Sequence, residues 1–500
     1  GPRLGAAYQI NSKTVIRAGW GVVYGGTPDN NGASSNIPVP VDVNAPAFGE
    51  PVMTLAKGVP FAATPWPNFD PGQFPLPGTV SAPKVFLDQN AGRPARQVQW
   101  SIGLQREIAR NLAVEAAYVA NRGVWWSAPA LVDVNALTPQ SLAANYGLDI
   151  NNAADQKILT APLNSANAGR FRNQAPYPGF PLGSTVAQSL RPFPQFGSVQ
   201  NLWSPLGKTW YDSLQAKVTK RFSQGLSFTS VFAWQKSLNM AGDTSPGNLS
   251  LGNAAVNDVF NRSLNKYLSG FDQPFQFNVA LNYVVPKFGF GRGLAARSAS
   301  WIVRDWTVGA YLGYASGMPI RSPWAQNALN SLVLRNVSAP TSVTGFISGG
   351  QPPAQATYAN RVPGEPLFTQ DINCHCYDPN TTFILNPKAW TQPAAGQWGT
   401  SAAYYGDYRF QRRPTENLGV GRTFRIKERA TVNIRAEFTN VFNRARVQDP
   451  YFANAQATQT RSNGQATAGF GWLNTTFGSA GAVTGVQLPR NGTIVARLQF

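Results

Sequence analysis

Eleven stretches of this chain alternate apolar and polar side chains with a period of two, and the connections between them are by turns short and long. The stretches are residues 3–8, 14–24, 97–107, 112–120, 210–221, 226–237, 275–285, 306–316, 416–425, 430–440 and 493–500. A period of two marks a strand with one face toward an apolar surrounding and the other toward water. The pattern is most regular near the end of the chain. Ala430, Val432, Ile434, Ala436 and Phe438 fall on one face; Thr431, Asn433, Arg435, Glu437 and Thr439 fall on the other. Leu418, Val420 and Phe424 make a similar row, broken by Arg422, and only residues 426–429 separate the two rows. The pair reads as an antiparallel hairpin.

Each stretch is about 8 to 12 residues long, apart from the first, and a tilted strand needs that length to cross a bilayer. Residues 9–13, 108–111, 222–225 and 426–429 are short connections, and 286–305 is of medium length. Between them lie long ones: 25–96, 121–209, 238–274, 317–415 and 441–492. In an up-and-down sheet this order collects the short turns on one rim and the long loops on the other. Outer-membrane barrels have that asymmetry, with short periplasmic turns and long extracellular loops. A soluble sandwich or propeller gives no reason for it. The long connections are dense in Pro, Gly, Asn and Ala, notably 28–94, 161–209 and 339–400. They carry turn chemistry rather than periodicity and are the expected place for recognition.

Composition narrows the choice further. Charged residues are 13% of the chain, against roughly 25% in ordinary soluble domains. There is no unbroken apolar run of about 18 residues, hence no transmembrane helix. A membrane protein of this kind has one architecture left, an all-β antiparallel barrel. A soluble all-β binding protein is the remaining alternative. The net charge of +19 is spread singly along the chain, without a basic helix or a nucleic-acid-binding motif. This argues against nucleic acid as a partner and suits an anionic membrane surface.

Candidate chemistry is sparse. Cys374 and Cys376 flank the sole histidine, His375. The trio offers ligands suited to zinc or copper, but three at most, within three residues; a disulfide stapling the loop is the competing reading. No catalytic motif is assembled, so no enzymatic role and no cofactor are expected. Arg221, Arg425, Arg435 and Glu437 fall on polar faces. They form either a translocation path through the lumen or a ladder of cross-strand ion pairs lining a plugged barrel. Trp100, Trp234, Tyr283, Trp306, Phe424 and Phe438 fall on apolar faces and suit lipid contact and aromatic girdles. Among loop aromatics, Trp66, Trp203, Trp324, Trp390 and Trp398 are the candidates for ligand contact.

Several stretches resemble the C-terminal part of TonB-dependent outer-membrane receptors, in particular the Oar-like group of acidobacteria. They are PRLGAAY (2–8) with VIRAGWGVVYG (15–25), VQWSIGLQREIARNLAVEAAYVANRG (98–123), YDSLQAKVTKRFSQGLSFTSVFAWQKSL (211–238), FDQPFQFNVALNYVVP (271–286), WTVGAYLGYASGMPI (306–320) and ERATVNIRAEFTNVFNRA (428–445). The resemblance covers nearly every predicted strand and is silent in the loops. It implies a 22-stranded barrel, of which residues 1–500 supply eleven strands. It also implies an N-terminal plug energised through the TonB complex, often preceded by a carboxypeptidase-regulatory-like domain, neither of which is seen in this sequence. A bulky ligand would be captured by extracellular loops and imported. The other reading is a barrel without transport that serves as a structural, adhesion or surface-interaction protein. The resemblance further implies the outer membrane of a Gram-negative bacterium, contact with its lipid and lipopolysaccharide, and a terminal aromatic, Phe500, read by the barrel-assembly machinery.

Overall fold

The computed structural model describes residues 1–25, 93–126, 134–196, 204–240, 260–286, 293–325, 357–374, 376–394, 397–412, 414–426, 430–444, 447–475 and 489–500, with a few isolated positions between them. Eleven long strands form one sheet: β1 (Arg3–Asn11), β2 (Thr14–Tyr24), β3 (Arg96–Ala109), β4 (Leu112–Trp126), β5 (Gly207–Ser223), β6 (Leu226–Met240), β7 (Phe275–Val284), β8 (Trp306–Ala315), β9 (Thr415–Ile426), β10 (Ala430–Thr439) and β11 (Asn491–Gln499), and the two-residue strand Tyr267–Leu268 joins it beside the end of β6. Each long strand pairs antiparallel with its neighbours in the chain, so spatial order equals chain order. The periodicity therefore located every long strand to within a few residues. Among the described ladders β1 and β11 are not paired with each other, so the sheet stands open.

The short turns have the chemistry their lengths require. Between β5 and β6, Gln224 and Gly225 adopt φ of 51° and 79°. Consecutive left-handed residues make the turn whose twist suits a two-residue hairpin. A Cβ on Gly225 would also run into the Val284 carbonyl oxygen. Gly225→Ala is expected to cost about 1–3 kcal/mol, read as a lower urea midpoint for the lipid-reconstituted protein. An unchanged midpoint would mean that neither strain nor clash is present.

Register assigns the faces. The apolar row runs across the sheet through Trp20 and Trp100, Leu214 and Trp234, Phe277 and Tyr314, Val308 and Val420, and Ile434 and Ala496. The opposite face carries Gln215, Asn278, Asn433 and Arg497. The large apolar side chains stay exposed: Trp234 is 57%, Ile102 55% and Ile494 79% accessible. So long an exposed apolar band needs an apolar partner; among the described residues, chain lies over it where the long connections meet Glu416 and Trp234, and at one place toward the short turns.

That place is the medium connection. Residues 286–305 contain a helix, Leu294–Val303, that periodicity had not suggested. It lies over β9 at the short-turn rim, where it covers Arg422, the break in the apolar row. Arg422 is 7% exposed.

The buried core sits away from the sheet, in the long connections. One part contains α1 (Pro139–Tyr146), α2 (Ala153–Thr160) and α3 (Val186–Ser189); the helix over β9 is α4. Thr138 caps α1 through the Ser141 amide at 2.9 Å, Pro139 opens it, and Gly147 closes it in the left-handed region, each favoured there by the unpaired backbone groups of a helix end. Leu131, Leu137, Leu142 and Leu159 pack beneath. A second part draws Ile320, Tyr358, Ile384, Tyr408 and Phe470 from across residues 320–473 into adjoining clusters. The described parts of the long connections form a folded cap, where composition suggests only turns.

Candidate functional site

Two short ladders organise the second part of the cap: Pro319–Arg321 with Tyr404–Arg409, and Asn360–Arg361 with Trp390–Thr391. Against them opens a cleft of about 590 Å³, lined by Arg361, Glu365, Leu367, Phe368, Asp371 and Asp407 among others. Its floor is apolar and its rim charged. Arg361 Nη2 lies 2.8 Å from Asp407 Oδ2, with the guanidinium 4.7 Å from the Tyr405 ring centroid. Both charges stay partly exposed, so they are available to a ligand and add little to stability.

The cap is tied to the strands by a buried ion pair. Arg409 Nη2 donates to Asp272 Oδ2 at 2.6 Å, Nη1 to the Asp272 carbonyl at 2.6 Å and to the Gly317 carbonyl at 3.2 Å. Asp272 is 2% exposed, and its other oxygen accepts from the Ser237 amide at 2.7 Å. A second cavity, about 630 Å³, shares Gly406 and Arg409 with the cleft. It extends to Tyr118, near the middle of β4, and to Asp212, Trp234 and Lys236 in the long-loop halves of β5 and β6.

Beneath the cleft, Tyr408 is fully buried between Phe368 and Trp390, at ring separations of 5.4 and 5.5 Å. Burial pushes its phenol well above the usual tyrosine range, and among the described residues its hydroxyl has no hydrogen-bond partner. Because the folded state holds this proton more tightly than the unfolded state, its contribution is intact below about pH 10 and is lost as pH rises further. Tyr408→Phe is expected to stabilise the cap by about 1 kcal/mol and to remove that alkaline sensitivity. Hydrogen exchange of cap amides against pH would read both, and a destabilised variant would contradict the unpaired hydroxyl.

The residues singled out from sequence distribute as follows. Arg435 and Glu437 share the polar face of β10 and pair with each other, Nε to Oε1 at 2.8 Å. The ladder reading is corrected in one respect: the pair runs along one strand, because their cross-strand partners on β9 are Gly421 and Gly419. Arg425 and Arg221 are exposed; Arg425 lies opposite Thr431 on the polar face, and Arg221 alternates with Thr219 and Lys217 on the polar face of β5. On the apolar face, Trp100, Trp234 and Phe438 lie in the long-loop halves of their strands; Tyr283, Trp306 and Phe424 lie toward the short-turn rim. Two aromatic bands result. Phe500 follows β11 at the short-turn rim and is fully exposed.

Trp324 and Trp390 do not line a ligand surface. They are 8% and 6% exposed and belong to the cap core, and Trp398 packs on the helical cluster. Aromatic residues in Pro- and Gly-rich sequence look solvent-facing, but here they are the largest apolar groups available to build a core. Trp66, Trp203 and His375 lie outside the described residues. Cys374 and Cys376 are joined in a disulfide, which takes both thiolates out of a metal site.

Charge is also found where the sequence reading placed apolar contact. Glu416, at the long-loop end of β9 on the apolar face, is fully buried; it accepts from Tyr314 at 2.9 Å and from Arg444 at 2.6 Å. Arg122 meets Asp212 at 2.9 Å and Tyr118 donates to the same carboxylate at 2.5 Å. Both clusters pair their charges internally. For Arg122 and Asp212 the signal in the sequence is opposite charge on adjacent strands, visible only once register is known; Arg444 reaches Glu416 from the loop after β10.

A bilayer-length antiparallel sheet in strict up-and-down order, with an exposed apolar band edged by aromatics, defines the outer-membrane β-barrel class. The chain belongs to the outer membrane beta barrel domain family, whose model matches residues 1–482. Its place is the outer membrane of a Gram-negative bacterium. No curated protein matches it. Among solved structures, a ferric enterobactin receptor (PfeA) mutant from Pseudomonas aeruginosa in complex with enterobactin is similar at 10% identity and TM-score 0.39, over 100% of this chain and 40% of its own. The outer membrane transporter YddB from Escherichia coli is similar at 11% identity and TM-score 0.36, over 99% and 40%. The ferripyoverdine receptor of the outer membrane of P. aeruginosa, bound to ferripyoverdine, matches at 9% and 0.34, over 100% and 32%. The chain thus spans well under half the length of these proteins.

Proposed function

We propose that this chain is the C-terminal part of the barrel of a TonB-dependent receptor of the Oar-like group. In this reading the cap captures a bulky ligand, and a plug energised through the TonB complex lets it pass. One observation carries the reading: the long connections form a cap with its own core and a charged-rim cleft, fixed to the strand ends through Arg409 and Asp272. The polar strand face, with Arg425, Arg435 and Glu437, would line the lumen around the plug. Lipid and lipopolysaccharide would surround the apolar face, and the barrel-assembly machinery would read Phe500. No step in this role is enzymatic.

The second reading is a barrel whose cap binds surfaces or matrix polymers without transport. The cavity that reaches Trp234 and Lys236 favours it, since these side chains lie on the outward side, away from a lumenal route. Deleting the gene and following ferric siderophores, cobalamin, oligosaccharides and peptides in the medium separates the two. Receptor function predicts that depletion of one class is lost, and that a protonophore abolishes the same depletion in the parent. Unchanged depletion of every class, with loss of cell attachment, would move the assignment to the second reading.

A further inference from the structure

The cavity of about 630 Å³ opens on the apolar side of the sheet, and its lining changes character along the strands. At the edge nearer the strand middles, Tyr118, Leu214 and Trp234 lie side by side in register, and Phe275 continues the row on β7. All four are exposed, so this edge is continuous with the apolar band. Leu238 of β6 and Leu268 beside it pair in register and carry the apolar lining toward the long loops. Gly406 and Arg409 bring the cap to the side of the cavity.

Toward the rim of long loops the same face turns basic. Lys236 follows Trp234 on this face of β6 and lines the cavity. Lys208 precedes Trp210 on the same face of β5, and Lys266 Nζ lies 4.2 Å from the Trp210 ring centroid. All three lysines are exposed, and among the described residues none has an ion-pair partner. The two carboxylates that line the cavity are already held. Asp272 is paired with Arg409; Asp212, across from Lys236, accepts from Arg122 Nη2 at 2.9 and 3.0 Å and from Tyr118. Positive charge thus stands uncompensated beside an apolar floor.

We propose that this cavity binds one anionic lipid of the outer leaflet, with an acyl chain along Leu214, Trp234 and Leu268 and a headgroup phosphate at Lys208, Lys236 and Lys266. The long loops of outer-membrane barrels face outside, which sets the leaflet. An ammonium attracts phosphate as a point charge, and lysines at a membrane surface select anionic lipid over neutral lipid. A soluble polymer would match the lysines and leave Leu214 and Trp234 bare; a neutral lipid would cover those two and leave the lysines without a counter-charge. The inference rests on the apolar face of the sheet meeting lipid.

The test uses the full-length protein in a non-ionic detergent, titrated with diphosphoryl lipid A or with the same lipid stripped of its phosphates. Native mass spectrometry counts the lipid retained. The parent is expected to hold a single diphosphoryl lipid roughly tenfold more tightly than the stripped form. Combining Lys208→Gln, Lys236→Gln and Lys266→Gln should bring the two lipids close to parity, whereas Trp234→Ala should weaken both alike. Equal retention in the parent, or a preference that survives the triple substitution, overturns the proposal. Dextran sulfate binding as tightly as the lipid would assign the lysines to a soluble polymer and overturn it too. A fluorophore at Ile434→Cys, in vesicles with a spin label deep in the acyl chains, separates the failures. If it is quenched, only the lipid site is wrong; if it is not, the lipid-facing assignment falls with it.

Discussion

Asp272→Ala is expected to detach the cap from the strand ends while leaving the sheet paired. Arg409 reaches into the cap–sheet junction with only 16% of its side chain exposed, and Asp272 is the counter-charge that makes this position tolerable. Removing the carboxylate strands the cation and frees the Ser237 amide, a loss of about 3–5 kcal/mol for a broken buried pair. The penalty falls on cap docking, since neither residue belongs to a ladder of the long strands. Limited proteolysis of the reconstituted protein should show cleavage within residues 357–412 at protease levels the parent withstands, with the gel shift of a folded barrel unchanged. Protection equal to that of the parent would remove Arg409 and Asp272 from their assigned place. Arg409→Ala should reproduce the effect, and the double variant should be little worse than either, because the two residues act as one contact.

The second large effect is expected at Ile434. Arginine there faces lipid near the middle of β10, where such a change costs about 2–4 kcal/mol. It would also stand directly across from Arg422, adding repulsion between like charges. Arginine at Asn433 faces the other way. The Asn433 side chain gives up one hydrogen bond, to Thr423 at 3.0 Å, and the new cation stands across from Arg497, a cross-strand repulsion of about 0.2–1 kcal/mol, so folding should lose much less than at Ile434. Urea unfolding in lipid vesicles measures both, and equal losses would contradict the faces assigned by register.

The strands were legible because a barrel wall imposes one rule on every residue: alternate sides, alternate chemistry. Leu418 to Phe424 and Ala430 to Phe438 could be read without any knowledge of their neighbours. The cap obeys no local rule. Ile320, Tyr358 and Phe470 meet from positions far apart in sequence, and their contacts are set by chain path. Trp324 and Trp390 were misread for that reason; a tryptophan among prolines and glycines carries no mark of whether it lines a surface or fills a core. The helix α4 escaped notice because it is ten residues long and sits where the connection-length pattern asked for a turn. Arg422 was noticed as a break in the row, but its explanation lies more than a hundred residues upstream, at Trp301.

The wall around Arg435 and Glu437 has a mechanical consequence. Opposite them the neighbouring strand offers only the bare backbone of Gly421 and Gly419, and on the strand beyond, Gly419 faces Gly309. The two charges lie along their own strand and neutralise each other. On that side the surface has shallow relief, and the charge of the pair itself is balanced. Whatever moves past it meets many weak, quickly exchanged contacts with water and peptide groups rather than a few deep wells. In the proposed receptor, this side of the wall would offer low sliding friction because side chains are left out of it.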